Sequence, residues 1–279
     1  MELIVNNLSY IYDEGTPYEK HALFGVDIKI KQGEFIGLIG RTGSGKSTLV
    51  KTLNGLIKPC YGSVYADGKD IFDKDYELYK LRGKVGLVFQ YPEDQLFESS
   101  VVEDVKFGPS NLGIPELDVE FRAYEAIKQV GISQDLIDVS PLELSGGQKR
   151  RVAIAGILAM KPDVLILDEP TAGLDAQGRK SLLGLIKGLN VEKGITVILI
   201  SHRMEDIAEN ATRVIAMDEG RIVMDDTPEA VFTDVDTLEK YGLRPPEAVR
   251  IAEKLREVGI AVDDNAITIR QIADSMLRR

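Results

Sequence analysis

The chain has 279 residues, of which 44% are hydrophobic and 28% charged, a composition typical of a soluble globular protein with room for one large domain and an appendage. Its 45 acidic and 34 basic residues give a formal net charge of -11, which argues against general electrostatic attraction to nucleic acid. Cys60 is the single cysteine, which excludes an internal disulfide and a cysteine-based metal cage and favours a reducing compartment.

No apolar stretch of the sequence reaches the ~20 residues that a bilayer-spanning helix needs. The first residues are strand-like and lack the basic region that leads a signal peptide. We therefore expect a cytoplasmic protein, which a partner must hold in place if it works at a membrane.

The first part of the chain, residues 2–34, is predicted to be rich in β-structure. Apolar or alternating runs at residues 3–5, 8–12 and 24–30 favour strands. A glycine-containing tight turn at residues 31–33 then leads into the next strand.

A glycine-rich loop with the sequence Gly-Arg-Thr-Gly-Ser-Gly-Lys-Ser follows the apolar run at residues 35–39 and precedes a helical stretch at residues 48–53. Its spacing is the P-loop pattern, in which strand, loop and helix cradle a phosphate. Glycines let the backbone approach an anion, and the positive end of the helix favours its charge. We predict that nucleotide phosphates bind Gly40, Arg41, Thr42, Gly43, Ser44, Gly45, Lys46, Ser47 and Thr48.

Two side chains of this loop are suited to chemistry. Lys46 can reach the terminal phosphates and is a candidate catalytic residue. The Ser47 hydroxyl is a hard-oxygen ligand suited to Mg²⁺. The loop therefore predicts a bound nucleotide accompanied by a metal ion.

Short β-branched runs follow at residues 84–89, 164–167, 196–200 and 213–217. Uninterrupted runs of this kind suit parallel strands covered on both faces, and helical stretches such as residues 179–186 separate several of them. The alternation predicts an α/β sheet whose ligands gather at the carboxyl ends of the strands.

The remaining segments are predicted to be mostly helical. Residues 91–161 form an insertion that is too long for a simple crossover and indicates a helical subdomain, in which residues 119–130 and 147–160 have the clearest helical patterns. After the last strand run, residues 218–220 predict a hairpin turn, and residues 245–258 and 268–277 predict two amphipathic helices.

Two acidic residues come directly after the strand at residues 164–167. Asp168 is placed to hold Mg²⁺ through water, and Glu169 is a candidate to orient or deprotonate an attacking water. The alternative is a polar strand end that caps the turn at Pro170.

Two further polar residues, Gln90 and His202, also end predicted strands. The Gln90 amide oxygen is a possible Mg²⁺ ligand, and a neutral His202 imidazole can hydrogen-bond a γ-phosphate oxygen or the attacking water. The alternatives are a solvated glutamine and a surface histidine.

A second glycine-rich turn, Leu-Ser-Gly-Gly-Gln at residues 144–148, opens a predicted helix. A turn of this kind at a helix N-terminus is suited to meet an anion. The first loop already predicts a phosphate cradle, however, and a simple helix cap is the alternative for the second.

In their order along the chain, these motifs resemble those of ABC-transporter ATPases. The matching residues are 40–47 (Walker A), Gln90 (Q-loop), 144–148 (signature motif), 167–171 (Walker B), 172–175 (D-loop) and His202 (switch histidine). The resemblance implies an α/β fold of the P-loop NTPase class: a RecA-like parallel sheet core, an N-terminal antiparallel β subdomain, a helical signature-motif subdomain at about residues 91–161 and a small C-terminal extension. It also implies a nucleotide-binding domain at residues 1–220 and an extension at residues 221–279 that contacts the dimer partner.

The resemblance further implies ATP and Mg²⁺ as cofactors, with Ser47, Gln90 and Asp168 around the metal ion. Tyr12 stands where the family stacks an aromatic ring on adenine, although on its own it is also typical of a packed strand residue. Family members dimerise head to tail, so that the signature residues of one subunit close on the γ-phosphate held by a second copy or a sister ATPase. The residues at this shared part of the site are Ser145, Gly146, Gly147, Gln148 and Asp175.

Within that family, the chain is most similar to the ATPases of energy-coupling factor (ECF) transporters, the cobalt and vitamin importers. The similarity rests on residues 89–97, 103–109, 145–155, 243–246 and 268–273. It implies ATP hydrolysis that drives uptake of a vitamin or a transition-metal ion at the cytoplasmic face of the membrane. A separate membrane subunit recognises the solute in this family.

Residues 91–108 face the integral membrane coupling subunit in ECF transporters. Here Leu96 and Phe97 are apolar anchors among acidic neighbours, which would suit a basic amphipathic helix. The alternative is a solvated helix start whose Leu96 and Phe97 belong to the core.

For the whole chain, two alternative functions remain: the ATPase of another small-solute ABC transporter, and a soluble ABC ATPase that remodels a protein or nucleic-acid complex. The acidic composition argues against nucleic acid as a partner.

Overall fold

The structure is a computed structural model that describes residues 1–277. Its strands are β1 (Leu3–Tyr12), β2 (Lys20–Ile30), β3 (Phe35–Gly40), β4 (Tyr61–Ala66), β5 (Lys69–Asp70), β6 (Val85–Val88), β7 (Val164–Asp168), β8 (Thr196–Ile200), β9 (Arg213–Asp218) and β10 (Arg221–Asp226). Its α-helices are α1 (Lys46–Leu53), α2 (Leu78–Lys84), α3 (Val101–Asn111), α4 (Glu116–Gln129), α5 (Gly146–Ala159), α6 (Ala176–Lys193), α7 (Met204–Asn210), α8 (Pro228–Thr233), α9 (Val235–Lys240), α10 (Glu247–Glu257) and α11 (Ile269–Leu277).

The larger sheet has six strands in the order β10-β9-β3-β8-β7-β6. All neighbours pair in parallel except β10, which is antiparallel to β9. Successive residues of β7 enter opposite cores: Leu165 and Leu167 pack with the helical side, whereas Val164 and Ile166 pack against α1 and the smaller sheet. Burial on both faces explains the uninterrupted apolar runs, and the predicted parallel α/β core is confirmed.

The smaller sheet is antiparallel, with the order β2-β1-β4-β5, and confirms the N-terminal β subdomain. The two strand runs predicted at its start form the single strand β1, which continues through an irregularity between Val5 and Leu8, where Asn7 has a φ of 45°. Strands β4 and β5 were not predicted, because β4 contains Gly62 and β5 is only two residues long.

A helical subdomain follows β6 and comprises α3, α4 and α5, as the resemblance implied. Val105 of α3, Ala126 of α4 and Ile154 of α5 are buried in the same core as the helical face of the sheet. Both helices predicted for this region are present, with ends shifted by a few residues. Helix α5 also packs against the edge strand β6, where a Cβ on Gly86 would lie 2.3 Å from Ile157 Cγ2, so the subdomain is anchored on this edge of the larger sheet.

The C-terminal part begins with the predicted hairpin, in which Asp218 pairs with Arg221 across a turn with Gly220 at a φ of 75°. Helix α8 buries Phe232 completely in the core on the helical side of the larger sheet, which we call the main core. Helices α10 and α11 share a small core of their own. The domain boundary after residue 220 remains a prediction, and residues 278–279 of the extension lie outside the described part.

Among the described helices, none combines the length and the apolar character that crossing a bilayer requires.

We expect Gly37→Ala to destabilise the fold, because a Cβ on Gly37 of β3 would lie 2.3 Å from Ile207 Cγ2 in the packed core. Overpacking of this kind costs about 1–3 kcal/mol in the free energy of unfolding. The matched control is Gly184→Ala on the exposed side of α6, where a Cβ would meet no described atom within 4 Å and alanine should stabilise the helix by up to about 1 kcal/mol. Urea titration of both variants measures the free energy of unfolding, which should fall in Gly37→Ala and rise in Gly184→Ala. A Gly37→Ala protein as stable as the parent would contradict the packing described.

Candidate functional site

A cavity of about 490 Å³ lies where the carboxyl ends of β6, β7 and β8 meet the loop between β3 and α1. It brings together residues that are far apart in the sequence, as expected for a ligand-binding site at the carboxyl ends of parallel strands. The lining residues are Tyr12, Lys20, Ala22, Thr42, Gly43, Gly45, Lys46, Ser47, Thr48, Gln90, Asp168, Glu169 and His202.

The loop between β3 and α1 can close only because glycines occupy its bends. Gly43 has a φ of 85° and Gly45 a φ of 102°, conformations that are strained for any residue with a Cβ. A Cβ on Gly45 would also lie 2.6 Å from the carbonyl oxygen of Ala22, and one on Gly40 would lie 2.3 Å from the carbonyl oxygen of Met217. The loop therefore leads the chain into α1 with the N-terminus of the helix beside the cavity, which suits an anion.

The Lys46 ammonium is held inside this loop. Its Nζ donates hydrogen bonds to the carbonyl oxygens of Gly40 at 2.8 Å and Arg41 at 2.9 Å, and only 7% of the residue is exposed. Burial lowers the pKa of Lys46, and the nearby charges of Asp168 and Glu169 oppose that shift. A cation fixed at this point is placed to neutralise phosphate charge.

An oxygen-rich corner of the cavity suits a magnesium ion. The Ser47 hydroxyl donates a 3.0 Å hydrogen bond to Asp168 Oδ2, and Gln90 lines the same cavity. Hydroxyl, carboxylate and amide oxygens are the donors that Mg²⁺ prefers, together with several waters. The three residues predicted to surround the metal ion thus lie together.

The catalytic candidates Glu169 and His202 are in direct contact, with His202 Nε2 2.7 Å from Glu169 Oε1. Glu169 has a φ of 50°, and its backbone N–H donates to the carbonyl oxygen of Ile200 on the neighbouring strand. A left-handed conformation costs a non-glycine residue about 1–2 kcal/mol, so this strain is held by the surrounding structure. In this conformation the Glu169 carboxylate contacts His202.

The Tyr12 ring lies at the other end of the cavity, at the end of β1. Its hydroxyl is 3.1 Å from Thr48 Oγ1, and the ring packs edge-to-face against Tyr10. Lys20, which pairs with Tyr12 across the β1–β2 ladder, and Ala22 also line the cavity. Our sequence reasoning missed both; the hairpin register of β1 and β2 was the signal that could have found them.

The second glycine-rich turn does not reach this cavity. It opens α5 with a capping box, in which the Ser145 hydroxyl accepts from the Gln148 N–H and the Gln148 side chain accepts from the Ser145 N–H. Gly146 and Gly147 have no positive φ, and a Cβ on either would meet no described atom within 4 Å. Asp175 is likewise outside the cavity and caps α6 by accepting from the N–H of Gly178 at 2.7 Å.

Sequence comparisons assign relatives along the whole chain. A family model described as ABC transporter matches residues 23–172. The energy-coupling factor transporter ATP-binding protein EcfA2 of Caldanaerobacter subterraneus subsp. tengcongensis is 52% identical over 278 residues, which cover 100% of this chain and 97% of that protein. The protein of the same name from Clostridium tetani is 50% identical over 279 residues, covering 100% of this chain and 97% of that protein.

Solved structures show the same architecture. The structure of cbiO1 from Clostridium perfringens, part of the ABC transporter complex cbiONQ, matches with a TM-score of 0.74 and 40% identity, covering 92% of this chain and 96% of that one. The ATP-binding cassette MJ0796, in a dimeric post-hydrolysis state bound to ADP and Pi, matches with a TM-score of 0.72 and 32% identity, covering 81% of this chain and 98% of that one.

We expect Tyr12→Ala to weaken ATP binding by about 5- to 150-fold, because a ring stacked on a base contributes about 1–3 kcal/mol. Tyr12→Phe keeps the ring and loses only the hydroxyl contact with Thr48, so its affinity should stay within about threefold of the parent's, since one neutral hydrogen bond adds little net free energy. Titration with a fluorescent ATP analogue measures both. Parental affinity in Tyr12→Ala would make Tyr12 a packed strand residue only.

Proposed function

The chain belongs to the ABC transporter family, and on that premise we propose that it is the ATP-binding and ATP-hydrolysing subunit of an ECF-type importer. The observation that carries the proposal is the cavity that joins a phosphate-binding loop to Asp168, Glu169 and His202. Full-length relatives named as energy-coupling factor ATP-binding proteins support the transporter type. The cargo would be a vitamin or a transition-metal ion recognised by a separate membrane subunit.

The predicted site residues that line the cavity divide the binding of ATP among them. Tyr12 stacks on the adenine, the glycine-rich loop holds the phosphates, and Lys46 neutralises their charge. Ser47 and Gln90 would hold Mg²⁺ directly and Asp168 through water, and the ion would supply charge neutralisation and fix the phosphates.

The attacking water is the part of the reaction that we assign to Glu169 and His202. The Glu169 carboxylate accepts a hydrogen bond from the water and directs it at the γ-phosphate. The His202 Nε2 atom lies 2.7 Å from that carboxylate and His202 lines the cavity, so its N–H is placed to donate to Glu169 or, when nucleotide is bound, to a γ-phosphate oxygen.

The second half of the site comes from another subunit. Alanine at Gly146 or Gly147, in the first turn of α5, would strengthen the helix by up to about 1 kcal/mol, and a Cβ would have room at both positions. Because no described part of this chain requires glycine there, the open side of the turn is suited to a phosphate held by a partner, either a second copy or a sister ATPase. The dimeric cassette bound to ADP and Pi supports this arrangement.

We assign the membrane-facing surface to residues 91–108. Phe97 is 65% exposed and packs edge-to-face against Phe107, which is 46% exposed, with ring centroids 4.9 Å apart. Leu96 packs against the main core, so Phe107 takes the place of the second apolar anchor. An aromatic pair among acidic side chains suits a basic amphipathic helix of an integral membrane subunit, which would hold the chain at the cytoplasmic face.

The C-terminal extension is a further contact with the dimer partner in this proposal. Helix α11 buries Ile272 in the small core that it shares with α10, whereas Ile269 is 59% exposed. Met276 and Leu277 of the same helix are exposed as well, and a group of apolar side chains left outside that core suits a protein contact.

We expect Glu169→Gln to lower kcat by at least about 100-fold, because a positioned general base contributes 10²- to 10⁴-fold. The amide is isosteric, so ATP affinity should stay close to the parental value and the protein should accumulate as an ATP-bound dimer. Phosphate release and size-exclusion chromatography in Mg-ATP measure the two effects. Glu192→Gln, on an exposed part of α6, is the control; a Glu169→Gln variant with the parental rate would remove Glu169 from this role.

We expect Phe97→Asp to abolish co-purification with an integral membrane protein when the chain is expressed with its genomic neighbours. A carboxylate in an apolar anchor position would be desolvated without a partner, while ATP binding at the distant cavity stays unchanged. Val191→Asp on α6, where valine is 72% exposed, is the matched control. If the parent chain captures no integral membrane protein, the transporter assignment fails.

A further inference from the structure

Arg150 of α5 is a buried arginine with three hydrogen bonds to two other segments. Its Nε and Nη2 donate to Glu93 Oε2 and Oε1 at 3.2 and 2.8 Å, and its Nη1 donates to the carbonyl oxygen of Ala172 at 2.6 Å. Only 4% of the arginine side chain and 20% of the glutamate side chain are exposed. The pair therefore forms a fixed two-bond fork inside the protein.

The three segments joined at Arg150 each carry part of the proposed site. Helix α5 begins at the turn that contains Ser145. Glu93 lies in the 3-10 helix Pro92–Gln95, directly after Gln90. Ala172 donates its N–H to the carbonyl oxygen of Glu169 at 3.2 Å, so its loop is tied to the backbone of the proposed catalytic glutamate.

The segment after Gln90 is held to the helical subdomain at its other end as well. Asp104 of α3 accepts hydrogen bonds from the backbone N–H groups of Phe97 and Glu98, each at 3.2 Å. Residues 93–98 are thus bonded to α5 through Glu93 and to α3 through Asp104. They are attached to the subdomain that carries the second glycine-rich turn.

The three hydrogen bonds made by the side chain at position 150 require a guanidinium. A lysine ammonium carries the same charge, but it cannot form the planar fork with Glu93 and bond the Ala172 carbonyl at the same time. A buried ion pair adds little net stability over packed apolar side chains, so its effect here is geometric: three segments keep one relative arrangement.

We infer that Arg150 is a positioning residue that makes the helical subdomain respond to nucleotide in the cavity of its own chain. Gln90 and Glu169 line that cavity, and Arg150 connects the segments that follow them to the helix that presents Ser145 to the partner subunit. ATP binding to one chain would in this way set the position of the turn that completes the other chain's site. The inference rests on the proposed function, because it assumes that two subunits share each site.

The direct test measures an ATP-dependent distance between the helical subdomain and the sheet domain. One spin label is attached at Leu142→Cys, just before the second glycine-rich turn, where leucine is 79% exposed. The other is attached at Val191→Cys on α6, where valine is 72% exposed. Cys60→Ser removes the native thiol. A non-hydrolysable ATP analogue with Mg²⁺ should shift the distance distribution in the otherwise parental protein.

In Arg150→Lys and in Glu93→Gln, the analogue should bind with an affinity within about threefold of the parent's, because neither residue lines the cavity. The distance shift should fall by half or more, and kcat should fall about tenfold with little change in KM, since a misplacement of about 1 Å can cost up to 10²-fold. In the double variant, the losses should not multiply, because both changes break the same fork.

Arg151→Lys is the matched control on the same helix. Arg151 donates to the Val130 carbonyl oxygen and to Ser181 Oγ, so it ties α5 to its neighbours without touching the segments after Gln90 or Glu169. It should lower the melting temperature and keep both the distance shift and kcat. Three results would each overturn the inference. They are a full distance shift in Arg150→Lys and Glu93→Gln, a loss of the distance shift in Arg151→Lys equal to theirs, and no distance shift in the parent. A parent that binds ATP and shows the shift but does not hydrolyse ATP would instead contradict the proposed function.

Discussion

The separation of two glycine-rich turns within one chain is the constraint on which the rest of this structure depends. The loop ending at Ser47 lies in the cavity at the carboxyl edge of the parallel sheet, whereas the turn at Ser145 opens a helix outside it. The first turn needs its glycines to close, but the second has glycines where its own chain leaves room for side chains. In the proposed function, a single chain therefore binds ATP and a pair of chains completes the catalytic site.

Two functional residues of the cavity are held in states that cost free energy locally, and the surrounding core keeps them in place. Glu169 adopts a positive φ, and burial lowers the pKa of the Lys46 ammonium. Strain and desolvation of this kind persist only where neighbouring structure determines the conformation. Here the neighbours are strands β7 and β8, whose buried apolar side chains pack into a separate core on each face of the sheet.

The parallel sheet, the phosphate-binding loop and the helical subdomain were predictable, because each follows from a local pattern of residues. Strand β4 was not, since Gly62 interrupts its pattern. Lys20 and the pair of Arg150 with Glu93, whose partners are 57 positions apart, could not be found from local sequence. Strand register and tertiary packing determine such contacts, and neither follows from the residues around one position.

The most direct measurement is of a dimer in which one subunit alone carries Gly147→Asp, purified through different affinity tags on its two chains. An acidic residue in the first turn of α5 suits the helix and has room there, so the fold is preserved while phosphate is repelled. Vanadate trapping of ADP then reports hydrolysis at each P-loop separately. We predict that the unsubstituted partner loses trapped ADP and the Gly147→Asp subunit keeps it; loss at the P-loop of the substituted subunit would contradict a shared site.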